Sequence, residues 1–500
     1  MKRLVWLILG MVVCSVPAFA QGAAATPSPA PAPAAAASPD AHAGHDHGQA
    51  MPSPSPEERP LLEKMERLKS QPPKNDAEDQ KMRKEYTALL KEYVKKFPAT
   101  PRTPQALQAL VQLLATGNQV PEAEQTAKEF QASAKGPQAQ MFACALLVDL
   151  YMNVGQEAKA IGFLLDYLKQ GSNLGHEPML AYKLAGLLSD QDRYGEAIGV
   201  LESFLKKEIP PAQMTRFELR IADLHISAGR PKDAIDKLEA LRKLQLSDED
   251  KSLSTYFLGM GHAALSKALK GPDSERARKK AFSFFDTLMT GARKDINANY
   301  PYGAMAFSAA ADLLLSTGDK AGALKLYEEM GKLYKERPEG MFAERAAKDA
   351  AWTGKQAPDF SGPTLDGKTV TLKELAGKLV LLDFWATWCQ PCIGEIPLLK
   401  RIAKNAAGRP LAIVSVSLDN PKQLSQLKRF VDMQGLTWSQ VHDGKVWESP
   451  IVKKYEVTGI PACFLIDEKG QIVRSGLRGH HLKDVIQQEL ARLDQAKQGK

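Results

Sequence analysis

The feature that most constrains this chain is a pair of cysteines placed shortly after an apolar run. Residues 379–382 (LVLL), followed by residues 383–385 (DFW), predict a strand that is buried on both faces. The chain then enters a predicted helix with Cys389 and Cys392 in its first turn. Residues three apart share a helix face, so the two sulfurs can meet in a disulfide.

The position of Cys389 predicts its role. Unpaired N–H groups and the positive dipole end at a helix N-terminus stabilise a thiolate relative to the neutral thiol. Cys389 is therefore predicted to be the attacking nucleophile. Cys392, one turn further in and less exposed, is predicted to be the resolving thiol that closes the disulfide and releases the product.

Two other uses of a CxxC pair fit this sequence less well. Covalent haem attachment needs a histidine directly after the second cysteine, and Ile393 stands there. A closed zinc site needs four ligands, but there is no second CxxC, and the nearest histidines are His442, His480 and His481. Redox use is therefore favoured, with a static structural bridge and a metal site as the alternatives.

The segment FWATWCQPC is similar to the active-site segment of the thioredoxin superfamily. Its surroundings, from Gly354 to about Leu490, resemble the TlpA/ResA-like (AhpC/TSA-type) branch of exported thiol-disulfide oxidoreductases. The other matching segments are residues 357–360, 365–368, 395–397, 459–461 and 464–467, with Gly470. This resemblance implies a thioredoxin-like α/β fold and an enzyme that exchanges disulfides with protein thiols, and it implies no cofactor or metal.

The resemblance also implies roles for two acidic residues. Asp383 corresponds to the buried carboxylate beneath the disulfide, which takes the proton from Cys392 as that thiol becomes a nucleophile. A purely structural carboxylate network is the alternative. Glu395, one helical turn after Cys392, is expected to face the same side and to tune thiol acidity, unless it is an ordinary solvated residue.

A third group of residues is expected to receive the substrate. The resemblance implies a cis peptide between Ile460 and Pro461 beside the disulfide, with the backbone of Ile460 free to pair with a bound strand. Trp388 would be an apolar platform beside the nucleophile. An ordinary trans proline and ordinary packing are the alternatives. Cys463 departs from the family pattern and is expected to point into the core, although an auxiliary redox thiol is a second interpretation.

The N-terminal 60 residues carry no pattern of a packed domain. Residues 1–20 have a basic start, an apolar stretch and small residues at Ala18 and Ala20, which predicts a secretory signal peptide and export, in a bacterium to the periplasm. An uncleaved membrane anchor is the alternative. Residues 21–60 are rich in Ala, Pro and Ser and predict a disordered tether. Its His42, His45 and His47 could bind a metal weakly or be solvated filler.

Residues 61–351 show a helical pattern with an internal repeat. Ala123, Ala160, Ala197 and Ala234 follow one another in steps of 37 residues, each five positions after a turn residue. A fixed period of this size indicates stacked helical hairpins, and the region resembles a tetratricopeptide-like array, whose usual period is ~34. Such an array commonly binds a protein partner, although a spacer or an oligomerisation element is also consistent. Less regular copies follow near residues 281 and 318–323, with a longer loop expected at residues 270–274.

The remaining elements complete the predicted fold class, a multidomain chain in which an all-α array precedes a thioredoxin-like domain at residues 352–500. Residues 351–356 are the expected hinge. A hairpin is predicted at residues 365–372, strands at 411–417, 463–467 and 471–474, helices at 423–433 and 481–493, and a loop at 435–449.

Composition limits the remaining functions. At 500 residues the chain has room for two or three domains. Its net charge of +8 comes without a basic cluster among aromatic residues, which excludes a nucleic-acid partner from our predictions. Because Gln390 and Pro391 replace the histidine of strongly oxidising relatives, we predict a reductant or isomerase that depends on an unidentified upstream redox partner. A thiol peroxidase and a non-enzymatic binding or scaffold protein are the alternatives.

Overall fold

The computed structural model describes residues 52–71, 76–171, 177–207 and 209–498, without the side chains of residues 76, 77, 480, 497 and 498. The predicted signal peptide and the cluster of His42, His45 and His47 lie outside these ranges. The chain divides into two compact units, one up to Leu180 and one from Ala181 onward. Within the described ranges, no helix combines the length and the apolar character that a membrane crossing requires.

Helices occupy most of the described residues before the sheet, and most pairs of consecutive helices pack against each other. In chain order they are α1 (Arg59–Ser70), α2 (Asp76–Lys96), α3 (Thr103–Thr116), α4 (Val120–Ser133), α5 (Pro137–Asn153), α6 (Glu157–Gln170), α7 (Glu177–Asp190), α8 (Tyr194–Leu205), α9 (Pro211–Ser227), α10 (Pro231–Leu241), α11 (Asp248–Ala268), α12 (Gly271–Lys294), α13 (Tyr302–Ser316), α14 (Lys320–Leu333) and α15 (Pro338–Trp352).

The 37-residue period corresponds to a repeated helix start. Each of the four alanines is the fourth residue of its helix, in α4, α6, α8 and α10, and each is fully buried. The turn before each helix contains a residue with positive φ, which is Asn118, Gly155, Asp192 or Gly229. A small buried residue lets neighbouring helices approach closely, and the left-handed residue ends the preceding helix. The period therefore marks real helical hairpins.

The less regular copies differ from the prediction in one place. Ala281 and Ala323 are fully buried, as in the regular copies. The loop predicted at residues 270–274 is wrong, because α12 already begins at Gly271. Pro272 lies in its first turn, where a missing N–H costs nothing, and Asp273 is favourable at the positive dipole end. These residues start a helix here.

A five-stranded sheet follows the helices, with strand order β5-β4-β3-β6-β7. Its strands are β3 (Leu379–Trp385), β4 (Leu411–Ser417), β5 (Ser439–Val441), β6 (Ala462–Ile466) and β7 (Ile472–Ser475). The helices between and after them are α16 (Gln390–Asn405), α17 (Leu424–Gln434), α18 (Pro450–Lys454) and α19 (Gly479–Gln498). Strand β3 runs parallel to β4 and antiparallel to β6. This all-α region followed by a thioredoxin-like α/β sheet confirms the predicted fold class.

A small antiparallel hairpin, β1 (Ser361–Pro363) and β2 (Thr369–Thr371), precedes the sheet. Its turn contains Gly367, which has a φ of 83° and donates its N–H to the carbonyl of Thr364 at 3.0 Å. The loop predicted at residues 435–449 is wrong in its middle, where β5 pairs with β4. Three residues are too few to show an alternating pattern, so the sequence alone does not reveal this edge strand.

The sheet is covered on both faces. One face packs Val380, Leu382 and Phe384 into a cluster that also contains both active-site cysteines. On the other face, Leu379 and Leu381 pack against α16 and α19 through residues such as Ile402 and Ile486. Full burial of an aliphatic side chain contributes about 1.5–3 kcal/mol, so these clusters hold β3 firmly at the sheet centre.

Candidate active site

The two cysteines lie shortly after the end of strand β3. All seven of its residues are buried, and the short loop after Trp385 leads to α16, whose N-cap is Cys389. The Sγ atom of Cys389 accepts the main-chain N–H of Cys392 at 3.3 Å. The two residues form a disulfide, with their Cα atoms 5.2 Å apart. The helix start therefore places a hydrogen-bond donor and a positive dipole end at the Cys389 sulfur.

The structure does not separate the two cysteines by exposure in the way we expected. Cys389 is 5% exposed and Cys392 is 4% exposed. The difference between the two residues is therefore in their helix position, and the roles assigned to them stay predictions.

Asp383 lies on β3, buried between two neighbouring strands. It is opposite Ser415 of β4 and Cys463 of β6, and its Oδ2 accepts the hydroxyl of Ser415 at 3.2 Å. Burial raises the pKa of Asp383 to about 6, while the positive charge of Arg478 and the Ser415 hydrogen bond act in the opposite direction. A carboxyl group with this pKa is ionised at neutral pH and can still accept a proton.

Cys463 points into the core, as predicted. It is 2% exposed, and its Sγ donates to the carbonyl of Leu477 at 3.0 Å. Burial raises the pKa of this thiol to about 12. Such a thiol remains protonated at neutral pH, which makes it a poor nucleophile.

Glu395 is half-buried on α16, and its Oε2 accepts the N–H of Gly479 at 3.3 Å. Gly479 is the first residue of α19, so the carboxylate lies at the positive end of that helix. Its charge also contributes to the raised pKa of Asp383, after burial. Glu395 is therefore not fully solvated, and its role in thiol acidity stays a prediction.

The loop before β6 lies at the end of the sheet where the cysteines are. Phe384 is opposite Ala462, so Pro461 is level with the end of β3. The peptide bond between Ile460 and Pro461 is cis. Ile460 and Trp388 are half-buried and pack against the cluster that contains both cysteines. The structure thus brings Trp388, Ile460 and Pro461 to the end of the sheet where the cysteines lie. Asp383 lies two residues before the end of β3, and Glu395 contacts the first residue of α19.

Sequence reasoning missed a carboxylate that holds the loop before the disulfide. Asp419 is fully buried just after β4. It accepts the N–H of Thr387 at 3.1 Å, the Thr387 hydroxyl at 2.6 Å and the Ser417 hydroxyl at 2.8 Å. An acidic residue directly after an apolar strand was the available signal, because a buried charge needs several donors.

Two arginines were also missed. Arg345 of α15 donates to the carbonyls of Gly459, at 3.1 Å, and Pro461. Arg478, in the loop after β7, donates to the Pro461 carbonyl and, at 3.0 Å, to that of Leu477. Neither residue belongs to a motif in the sequence, so only the fold brings them to the site.

Known proteins are similar to the part of the chain that contains this site. The model of the AhpC/TSA family matches residues 353–475. The thioredoxin-like protein YneN of Bacillus subtilis is 41% identical over 120 residues, which are 24% of this chain and 68% of YneN. The thiol-disulfide oxidoreductase ResA of Bacillus thuringiensis strain Al Hakam is 32% identical over 155 residues, which are 31% of this chain and 84% of ResA. This chain belongs to the ResA-like branch of the thioredoxin superfamily.

As a ResA-like protein it is a thiol-disulfide oxidoreductase, since the match covers most of the relatives' length. A thioredoxin domain of a thiol-disulfide oxidoreductase from Bacteroides vulgatus is 30% identical, over 28% of this chain and 97% of that one, with a TM-score of 0.26. The family match begins at residue 353, directly after α15.

Proposed function

We propose that this ResA-like protein reduces or isomerises disulfides of exported protein clients through its WCQPC motif, with Cys389 as nucleophile and Cys392 as resolving thiol. One observation carries the proposal, which is the position of Cys389 at the N-cap of α16 with the Cys392 N–H directed at its sulfur at 3.3 Å. In the reduced protein the same donor and the helix dipole would stabilise a Cys389 thiolate.

The proposed reaction transfers two electrons to the client. The Cys389 thiolate attacks one sulfur of the client disulfide and forms a mixed disulfide, while the other client sulfur leaves as a thiolate and takes a proton. Cys392 then gives its proton to Asp383 and attacks the Cys389 sulfur, which releases the second client thiolate. The enzyme is left with the Cys389–Cys392 disulfide. An upstream dithiol partner must return two electrons before the next turnover.

The sequence supports the proposed direction and place of the reaction. Gln390 and Pro391 between the cysteines offer no cation to stabilise a reduced thiolate strongly, which favours a reductant or isomerase over an oxidant. The signal-peptide pattern of residues 1–20 supports export, in a bacterium to the periplasm. The helical array would position a client or the upstream partner.

Trapping of mixed disulfides tests the proposal. In the full-length Cys392→Ala variant the first step can occur and the second cannot, so client proteins should remain covalently bound through Cys389. The control is the Cys389→Ala/Cys392→Ala double variant, which retains Cys144 and Cys463, both buried. It should trap nothing.

Three results would contradict the exchange mechanism. Equal adducts in the double variant, or no adducts in extracts that contain the native partners, would remove Cys389 as the nucleophile. Rapid peroxide consumption that persists in Cys392→Ala would favour a thiol peroxidase. Normal function of Cys389→Ser in cells would favour a binding or scaffold protein.

A further inference from the structure

The last helix of the helical region contacts the active-site loop directly. Arg345, in the middle of α15, donates from Nη2 to the carbonyl oxygens of Gly459 and Pro461, the two residues that flank Ile460. Arg345 precedes the segment that matches the AhpC/TSA family, which begins at residue 353. A side chain from outside the family domain therefore holds a loop of the family's active site.

Neighbouring contacts fix this arginine in place. Its guanidinium lies 3.9 Å from the carboxylate of Asp349, one turn further along α15. The main-chain carbonyl of Asp349 accepts the hydroxyl of Ser475 at 2.6 Å. Gly476 has a φ of 69°, which favours glycine, and a Cβ atom there would lie 2.3 Å from Asp349 Oδ2 and displace this carboxylate. The helix and the loop after β7 are thus packed closely around Arg345.

These contacts leave the main-chain N–H and C=O of Ile460 available for hydrogen bonding. The carbonyls on both sides of it are bound by arginines, Pro461 by Arg478 as well as by Arg345. Among the described residues, neither the N–H nor the C=O of Ile460 has a hydrogen-bond partner. Ile460 is half-buried against the cluster that contains both cysteines. An unpaired main-chain N–H and C=O at the end of the sheet where the cysteines lie can pair with an extended polypeptide.

We propose that Arg345 is a positioning residue for protein clients, which it serves by holding the two carbonyls that flank Ile460 so that the Ile460 main chain can pair with an extended client segment. The inference rests on the proposed exchange with protein disulfides. Arginine suits this task because the two N–H groups of Nη2 lie in a fixed plane and can each donate to one carbonyl, whereas the three N–H groups of a lysine ammonium rotate freely. The helical region then forms part of the client site.

A merely structural staple between α15 and the sheet makes a different prediction. Loss of a staple would loosen the whole site and slow every disulfide substrate alike. Loss of a positioning residue should weaken the binding of extended polypeptides and leave small disulfides unaffected, because these need no main-chain pairing. Two substrates of different size therefore separate the two roles.

The test compares full-length, pre-reduced variants in single turnovers, in which the two thiols of the enzyme are the reductant. One substrate is an extended peptide that carries a fluorophore on a disulfide, and the other is dithiobis(nitrobenzoate). For Arg345→Gln we expect the half-saturating peptide concentration to rise roughly fivefold to tenfold, which corresponds to about 1–1.4 kcal/mol, the net contribution of one ordinary hydrogen bond. The maximal rate and the reaction with dithiobis(nitrobenzoate) should stay within about twofold.

Two further variants complete the design. Arg345→Lys keeps the charge, and its half-saturating peptide concentration should lie between those of wild type and Arg345→Gln. If Arg345→Gln does not fold, a rise of about twofold to threefold in Arg345→Lys supports the inference, and no rise contradicts it. Lys348→Gln removes an exposed charge from the same helix and should match wild type. An equal loss with both substrates, or no loss with the peptide, would overturn the inference. A wild-type protein that reduces neither substrate would overturn the proposed function itself.

Discussion

Replacing Asp383 with asparagine should stabilise the oxidised protein at neutral pH and slow its reaction. Asparagine has nearly the same shape and can keep the contact with Ser415, but it carries no charge. The ionised Asp383 is buried, with 8% of its surface exposed, and accepts the hydroxyl of Ser415. The substitution therefore removes a charge that the fold disfavours, with little change in packing.

The magnitude follows from the pKa of Asp383, which burial raises from 3.8 to about 6. Because the folded protein holds this proton more tightly than the unfolded chain does, wild-type stability falls as pH rises from about 3.8 to about 6. A difference of roughly 2.2 pKa units corresponds to ~3 kcal/mol. Asparagine does not titrate, so Asp383→Asn should gain ~3 kcal/mol near pH 7.5, ~1.6 kcal/mol at pH 5 and only ~0.6 kcal/mol at pH 4.

Tryptophan fluorescence during guanidinium denaturation measures the free energy of unfolding of the part of the chain that contains Asp383. Five of the six tryptophans lie between residues 352 and 447, so the signal reports on the sheet and its surroundings. Asp432→Asn, at an exposed position on α17, is the matched control and should change stability at neither pH. An Asp383→Asn variant that gains nothing at pH 7.5, or gains the same amount at pH 4, would refute the reasoning.

The same variant should be slow in the second step of exchange. Without a carboxylate to take the proton from Cys392, the mixed disulfide should resolve roughly 100-fold more slowly, at the lower end of general-base effects. Quenched-flow trapping of the mixed disulfide measures this rate. Resolution at the wild-type rate would mean that Asp383 is only a structural carboxylate.

Two further predictions concern packing and thiol reactivity. Gly259→Ala should destabilise its unit by about 1–3 kcal/mol in thermal unfolding followed by circular dichroism, because the new Cβ would lie 2.4 Å from the ring of Phe285. Gly199→Ala, with no atom within 4 Å of its Cβ, should be neutral or slightly stabilising, and equal effects at both positions would contradict the packing argument. In the reduced native protein at pH 8, Cys463 should be alkylated far more slowly than Cys389, because burial raises its pKa to about 12; equal labelling by mass spectrometry would contradict this.

Local signals explain why so much of the fold could be predicted. The repeat was visible because a small buried residue and a left-handed turn residue recur at fixed spacing, for example at Asn118 and Ala123. Strand β3 was visible because a strand buried on both faces is a continuous apolar run. Strand β5 was not, because three residues at a sheet edge take their conformation from pairing with β4 rather than from their own pattern.

Some residues of the candidate site could likewise be predicted from local motifs, and others could not. Cys389, Cys392 and Pro461 were found because they lie in short motifs with fixed spacing. Arg345 was not found, since it is more than a hundred residues from the carbonyls that it binds. The near-equal burial of the two cysteines depends on tertiary packing, which spacing along one helix cannot report.

The contacts of α15 also bear on what the helical region is for. Besides Arg345, this helix supplies Trp352, whose ring stacks on Tyr455 at 6.2 Å and meets the edge of Phe464 at 5.8 Å. Aromatic pairs at these distances stabilise by about 0.5–1.5 kcal/mol beyond the area they bury. A pure spacer needs no such contacts, so the C-terminal end of the helical region contributes to the core of the redox domain and contacts the loop that contains Pro461.

Opposing effects of burial and charge set the pKa of Asp383 in the range that its proposed role as a base requires. Burial alone would raise its pKa further, and the positive charge of Arg478 lowers it. A much higher pKa would leave the group protonated at neutral pH and unable to accept the proton of Cys392, whereas an ordinary pKa would make it a weak base. A pKa of about 6 lies near the working pH, where general-base catalysis is most effective. Arg478 therefore links the loop that binds the Pro461 carbonyl to the acidity of the carboxyl group on β3.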